Sequence, residues 1–150
     1  MKDNQALIVV DVQKDFLETG ALPVKEGSQV VPVINRIIPK FKNVVFTQDW
    51  HPQGHISFAS SHPGIAPYST IDVSYGKQVL WPEHCVQNTS GAEFAEGLNT
   101  ENGDCFVKKG AHSDIDSYSA FLEADRKTKT DLGVWLRSQG ITAVSYTHLR

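Results

Sequence analysis

Four short runs along the chain lack the three-to-four residue period of a helix. They cover residues 5–11, 43–49, 105–109 and 141–144, and each contains β-branched residues. Short, mostly apolar runs of this kind are typical of strands buried on both faces of a parallel sheet. We therefore predict four strands, the last of which begins at Ile141 and loses its apolar character at Ser145.

Residues 28–41 follow a helical pattern instead. Their apolar side chains recur at steps of three and four residues, namely Val30, Val31, Ile34, Ile37, Ile38 and Phe41. This spacing predicts an amphipathic helix. Ser28 is expected to be its N-cap. Pro32 falls in the first turn, where proline is tolerated, and Pro39 is expected to disturb the last turn.

A second helix is predicted over residues 129–140. Its apolar side chains, Leu132, Trp135 and Leu136, recur at helical spacing and are expected to face inward. Gly140 is a suitable stop, since glycine readily adopts the left-handed conformation that ends helices.

The remaining segments carry weaker signals. A short helix is predicted to begin near Thr89, with Thr89 or Ser90 as its cap. Residues 53–78 hold many Gly, Pro, Ser and His residues and show no clear period. We predict one long loop there, and a structureless loop of that length usually has a function.

The alternation of strands and helices predicts the fold class. Strand, helix, strand, helix, strand, helix, strand is typical of α/β proteins with a central parallel sheet and right-handed crossovers, here a three-layer α/β/α arrangement. At 150 residues the chain is expected to form a single domain, 1–150. In such open sheets, ligands bind beyond the carboxyl ends of the strands.

Composition excludes several classes of function. The net charge of −3 offers no basic footprint for nucleic acid. The longest apolar run, residues 6–10, is far too short to cross a membrane, and no signal peptide pattern is present. The sequence holds only two cysteines, which do not make a disulfide framework. We therefore expect a reduced, cytoplasmic protein, and its oligomeric state, including a homo-oligomer, stays open.

Ionisable residues stand at the ends of three predicted strands. Asp11 ends the first strand, Asp49 and His51 follow the second, and Lys109 ends the third. A carboxylate that closes an apolar run is costly to bury without a partner. Asp11 therefore either caps a turn, pairs with a structural cation or serves in a site. Lys109 is either solvated, or it holds a positive charge near a nucleophile and lowers the pKa of that nucleophile.

A metal site is one interpretation of the histidines. Asp49 and His51 are two residues apart, so both side chains share a face if strand geometry continues. His84 offers a further nitrogen ligand. The alternative is a turn with a surface histidine. The other histidines, which the sequence does not rank, are His55, His62, His112 and His148.

Six sequence blocks occur together in one order: VVDVQKDF, TQDWHP, HISFAS, WPEHCVQNTSGAEF, VKKG and DSYSAF. From about residue 6 to about residue 144 the chain thereby resembles the nicotinamidases of the isochorismatase-like cysteine hydrolases. The WPEHCVQN and DSYSAF blocks favour the nicotinamidase branch over the isochorismatase branch. The resemblance implies an isochorismatase-like, Rossmann-like fold and the hydrolysis of nicotinamide, with pyrazinamide often accepted, in NAD salvage.

The resemblance also implies roles for individual residues. Asp11 and Lys109 match the catalytic Asp and Lys. The implied metal ligands are Asp49, His51 and His84, and zinc suits this ligand set best, with iron or manganese as alternatives. The implied aromatic walls around the pyridine ring are Phe16 and Trp81, with Tyr118 nearby. Cys85 is expected to be a packing residue.

One part of the family pattern is missing. The family carries its nucleophile in a Gly-x-Ala-x-Asp-x-Cys segment after the fourth strand, whereas this sequence reads ITAVSYTHLR and has no cysteine after Cys105. We expect a domain incomplete at its C-terminus, with the last strands missing, the fourth strand exposed and the fragment inactive. The alternatives are a non-catalytic metal- or ligand-binding relative, or another isochorismatase-like hydrolase.

Overall fold

A four-stranded parallel sheet is the centre of the structure, a computed structural model that describes residues 3–149. These described residues form six strands, β1 Gln5–Val10, β2 Asn43–Asp49, β3 Thr70–Val73, β4 Gly76–Val79, β5 Cys105–Lys109 and β6 Ala143–His148. The order in the sheet is β5-β2-β1-β6. All three neighbouring pairs are parallel, so the four carboxyl ends lie at one edge.

Two helices, α1 Val30–Ile37 and α2 Leu132–Ser138, bury their apolar faces against the sheet. Alternate strand residues point to opposite faces of a sheet, so two separate cores form. One core joins α1 to Leu7, Val9, Val44 and Phe46. The other joins α2 to Ala6, Ile8, Val45 and Val107. This arrangement confirms the predicted α/β class with a central parallel sheet.

The predicted helix over residues 28–41 is divided into three parts. A 3-10 turn covers Gly27–Gln29, α1 covers Val30–Ile37, and a second 3-10 turn covers Ile38–Lys40. The prediction that Ser28 is the N-cap was wrong, because its hydroxyl donates to the Glu18 carboxylate at 2.9 Å rather than to the helix. Pro39 lies in the last 3-10 turn, where the helix is disturbed as expected.

Residues 53–78 are not one structureless loop, and this prediction was wrong. Strands β3 and β4 form an antiparallel hairpin in which Thr70 pairs with Val79 and Val73 with Gly76. The alternation of Thr70, Ile71, Asp72 and Val73 carried a strand signal. The two turn residues, Ser74 and Tyr75, lack the Asn-Gly pattern that announces most two-residue hairpins.

The segment from Thr89 onward is not an α-helix, which corrects another prediction. Only a 3-10 turn, Ser90–Ala92, forms there, and Thr89 makes no side-chain cap bond to it. Glu93 then becomes extended, and Phe94 pairs in antiparallel fashion with Gln13. The backbone N–H and C=O groups of this segment therefore bond to the loop after β1 instead of forming the internal bonds of a helix.

The last helix and strand lie where the sequence predicts them but with different bounds, since α2 begins at Leu132 and β6 begins at Ala143 rather than Ile141. Leu132 and Leu136 are buried, Trp135 packs against the same core, and Gly140 has φ +66° just after α2. Strand β6 continues beyond Ser145 to His148 and pairs with β1 along its length. Its side chains Val144 and Tyr146 are exposed. Within residues 3–149, no helix is both long and apolar enough to cross a membrane.

We expect Ile34→Ala to destabilise the fold by about 2–5 kcal/mol, because it leaves a cavity between α1 and the sheet. Ile34 is fully buried, whereas its neighbour Val33 is 40% exposed. Urea unfolding of both variants measures the difference, with Val33→Ala expected within about 1 kcal/mol of the unchanged protein. Equal losses in the two variants would contradict the packing of α1 described here.

Candidate active site

Lys109 lies at the centre of a buried charge cluster where β1, β2 and β5 end. Its ammonium is 2.9 Å from Asp11 Oδ2 and also contacts Asp49 Oδ1. The third partner is the carbonyl of Ser117, at 3.5 Å. Asp11 accepts a further hydrogen bond from Thr47 Oγ1 at 2.6 Å. Three strand ends therefore deliver one cation and two carboxylates to a single point.

Burial and charge shift the pKa values of this cluster in defined directions. Burial by itself lowers the pKa of Lys109, but Asp49 and Asp11 outweigh it, so the pKa of Lys109 lies above its ordinary value. Burial raises the pKa of Asp11, an effect that Lys109 opposes and Asp49 reinforces. Lys109 therefore stays charged, while Asp11 binds a proton more readily than an exposed aspartate.

The second oxygen of Asp49 faces two histidines. Asp49 Oδ2 is 3.9 Å from Nε2 of His51 and 3.9 Å from Nε2 of His84. The Nδ1 atoms lie 2.9 Å from the Gly110 carbonyl for His51 and 2.8 Å from the Pro82 carbonyl for His84. Carbonyls only accept, so each Nδ1 carries a proton, and the Nε2 atom of each ring is the one that faces Asp49.

These three side chains suit a divalent metal. Their ligand atoms all lie within 4.8 Å of one another. Tetrahedral donors about 2.0–2.1 Å from zinc would be roughly 3.3 Å apart, so the two 3.9 Å separations from Asp49 Oδ2 would need to shorten slightly. Burial first, and then His55 and His84, lower the pKa of His51 to about 3. His51 is therefore neutral, which a metal ligand requires.

Backbone contacts hold the ligands in place. The fully buried Gln13 amide accepts from the Asp49 N–H and donates to the Asp49 carbonyl, both at 2.8 Å. Gly110 has φ +63°, and a Cβ there would lie 2.5 Å from the His51 ring. Glycine is therefore needed at this position, because its carbonyl must approach His51 closely.

A cavity of about 240 Å³ adjoins the charge cluster and the histidines. It is smaller than the usual pockets for drug-sized ligands, so it suits a small molecule. All eight residues singled out from the sequence line it, Asp11, Phe16, Asp49, His51, Trp81, His84, Lys109 and Tyr118. The structure thus brings them together around one space.

Aromatic rings form much of the cavity wall. The Phe16 and His84 ring centroids are 5.6 Å apart, and the Trp81 indole N–H donates to the Tyr118 hydroxyl at 3.0 Å. Burial, followed by the charge of Asp116, raises the pKa of Tyr118 to about 12. Tyr118 therefore keeps its proton at neutral pH.

The cavity has three further lining residues that sequence reasoning did not single out, Leu22, Asp116 and Ser117. The DSYSAF block contained Asp116 and Ser117, so the family pattern was the available signal. Asp116, His51 and His55 form a second group close enough for a metal. His55, however, contacts Ser57 Oγ at 2.7 Å and the Ile115 carbonyl at 3.1 Å, so both ring nitrogens already have partners.

Neither cysteine is placed as an activated thiol. Cys85 is fully buried, and burial together with Asp49 and Asp15 raises the pKa of its thiol. Its backbone N–H donates to the Asp15 carboxylate at 2.7 Å, which anchors the residue that follows His84. Cys105 begins β5, at the opposite end of that strand from Lys109. A raised thiol pKa disfavours the reactive thiolate.

Comparison with known proteins assigns the family. The family model described as the isochorismatase domain matches residues 5–147. The chain belongs to the isochorismatase family. The nicotinamidase of Acinetobacter baylyi is 51% identical over 142 residues, which cover 95% of this chain and 66% of that relative. This isochorismatase-family chain therefore spans about two thirds of the length of that curated protein.

Two solved structures superimpose on this isochorismatase-family chain. A nicotinamidase and pyrazinamidase of Acinetobacter baumanii has a TM-score of 0.96 and 49% identity, over 98% of this chain and 71% of that one. A pyrazinamidase of Pyrococcus horikoshii in complex with zinc has a TM-score of 0.73 and 38% identity, over 97% of this chain and 71% of that one. Both similarities extend across the sheet and the loops that line the cavity.

We expect Lys109→Met to raise the pKa of Asp11 further, because the cation that opposes the burial effect is lost. The carboxyl 13C resonance of Asp11, followed against pH, measures this shift. A raised Asp11 pKa favours the folded state below the unfolded value of 3.8, and that contribution is lost as the pH rises through the folded-state pKa.

Lys108→Met is the matched control for this titration. The Lys108 ammonium lies 3.6 Å from the Trp50 ring centroid instead of in the cluster. The control should leave the Asp11 titration unchanged. An Asp11 pKa that does not respond to Lys109→Met would disprove the pairing between these two side chains.

Proposed function

We propose that the site of this chain is that of a nicotinamidase, which hydrolyses nicotinamide to nicotinate and ammonia, although neither of the chain's two cysteines is placed as the nucleophile. The observation that supports this most directly is the Asp11–Lys109 pair, held at 2.9 Å beside a three-ligand group in one small cavity. The 51% identity to a nicotinamidase adds to this support. Pyrazinamide, which has the same ring size and the same amide group, is a second expected substrate.

The cavity offers two kinds of contact to a flat heteroaromatic amide. Phe16, Trp81 and Tyr118 line the cavity and provide aromatic surface for the ring, and aromatic pairs in general prefer offset or edge contacts. Asp49, His51 and His84 would hold a divalent metal, of which zinc fits best and iron or manganese are alternatives. Such a metal supplies a Lewis acid for the ring nitrogen.

Asp11 is proposed to transfer protons. A thiol that adds to the amide carbon gives up its proton, and Asp11, with its raised pKa, is suited to accept it and to pass it to the departing ammonia. Water then cleaves the thioester to nicotinate and restores the thiol. Lys109, whose charge is secured by two carboxylates, would favour the thiolate form.

Neither of the two cysteines in this chain is positioned to supply the thiol. Cys85 is buried with a raised pKa, and Cys105 opens β5 far from its carboxyl end. We therefore expect no turnover from the 150-residue chain. The same observation favours one other candidate, a relative that binds metal and nicotinamide without hydrolysis.

We expect His51→Ala to reduce zinc affinity at least about tenfold, because even residues that only support a ligand contribute that much. Elemental analysis after dialysis and titration against a competing chelator measure the change. His112→Ala, at an exposed position, is the control and should retain full metal content. Unchanged zinc content in His51→Ala would remove His51 from the ligand set.

Adding a nicotinamidase C-terminal segment that contains the Gly-x-Ala-x-Asp-x-Cys pattern after Val144 should produce ammonia release from nicotinamide. In that chimera Asp11→Asn should abolish release without loss of metal, because the proton acceptor is removed. A folded, metal-loaded chimera that binds nicotinamide but releases no ammonia would favour the binding relative over the enzyme.

A further inference from the structure

Asp116 is a buried carboxylate that the proposed hydrolysis does not use. It is 3% exposed, and among residues 3–149 it belongs to none of the observed ion pairs. Neutral donors satisfy it instead, namely the Ser117 N–H at 2.8 Å and the Gln78 amide at 2.7 Å. Burial of a carboxylate without a cationic partner is costly, so we expect Asp116 to have a structural role at this position.

Gln78 connects the β3–β4 hairpin to the segment that carries Asp116. Its fully buried amide nitrogen lies 2.7 Å from Asp116 Oδ2 and 3.0 Å from the Tyr118 hydroxyl. Its amide oxygen accepts from the Tyr75 hydroxyl at 2.8 Å. The Tyr75 hydroxyl in turn accepts from the Asp116 N–H at 3.2 Å. The hairpin is thus fastened to one wall of the cavity.

The Tyr118 hydroxyl lies against two side-chain donors. A phenol has one donor and two acceptor positions. The Trp81 indole N–H donates to this hydroxyl at 3.0 Å, and the Gln78 amide nitrogen, which also lies 2.7 Å from Asp116 Oδ2 and from the Val79 carbonyl, is 3.0 Å away. These bonds fix the polar ends of two aromatic side chains.

Packing alone does not fix the Tyr118 ring. The residue is 62% exposed and lines the 240 Å³ cavity as well as a separate groove of about 680 Å³ beside the hairpin. Open space on both sides leaves the ring free to rotate or swing unless its hydroxyl is held. Its orientation therefore depends on the hydrogen bonds at that oxygen.

We propose that Asp116 and Gln78 are positioning residues that orient Tyr118 and, through its hydroxyl, Trp81. The consequence for ligand binding rests on the proposed function, since the oriented rings would be the wall against which nicotinamide packs. A ring wall set in advance reduces the entropy lost on binding.

The indole N–H resonance of Trp81 in a 1H–15N spectrum tests this directly, after assignment with Trp81→Phe. Asp116→Asn keeps the shape of the side chain but replaces an acceptor by an amide. We expect it to move the Trp81 resonance toward that of a water-exposed indole, as Tyr118→Phe should. The double variant should show no further shift beyond Tyr118→Phe, because both changes break one network.

Asp114→Asn is the matched control, since it makes the same chemical change at an exposed position of the same segment. It should leave the Trp81 resonance unchanged. If Asp116→Asn does not fold, Gln78→Met takes its place with the same expectation. A folded Asp116→Asn or Gln78→Met protein with an unmoved Trp81 resonance would overturn the proposal.

Nicotinamide titration of the same samples separates this inference from the proposed function. Asp116→Asn should weaken nicotinamide binding about tenfold, while Asp114→Asn should not. If the unchanged protein binds no nicotinamide while the Trp81 resonance still responds, the proposed function fails and the positioning network stands. If nicotinamide binds equally well to all variants, the network has no part in recognition and the proposal is overturned.

Discussion

The burial of one ammonium between two carboxylates is the interaction on which the site depends. Lys109 is buried beside Asp11 and Asp49, and none of the three could be ionised there alone without a large desolvation cost. Their mutual attraction offsets that cost only because three parallel strands end at the same edge. Loss of the lysine would leave two buried carboxylates of like charge facing each other. The strand ends are therefore stable at this edge only with the lysine in place.

Asp49 links this cluster to the histidines because its two oxygens face different partners. Oδ1 contacts Lys109, and Oδ2 lies 3.9 Å from both His51 and His84. The Gln13 amide holds the Asp49 backbone on both its N–H and its carbonyl side. A single carboxylate therefore contacts Lys109 and faces both histidines at once.

The sheet edge and the loops contribute different chemistry to the cavity. The strand ends bring the charged groups, whereas the loop regions bring Phe16, Trp81 and Tyr118. Loops have no ladder of hydrogen bonds to fix them, so side-chain contacts take over. Cys85 is held by Asp15, and the hairpin is held by Gln78. Such contacts explain why polar side chains are buried so densely around a small, partly aromatic cavity.

The sequence by itself determined the parallel sheet and the placement of Asp11, Asp49 and Lys109 at strand ends. The reason is that a run of consecutive apolar residues is typical of a strand buried on both faces. It also indicated most of the cavity wall through the family blocks. Predictions from local sequence patterns were wrong where contacts between distant residues outweigh local secondary-structure propensity. These places are the Ser28 cap, the segment after Thr89 and the hairpin of residues 70–79. Only the tertiary structure decided how His51 and His84 are held beside Asp49, what His55 contacts instead, and what Asp116 contacts. Those outcomes depend on side-chain directions in loops, and loop directions are set by contacts between residues far apart in the chain.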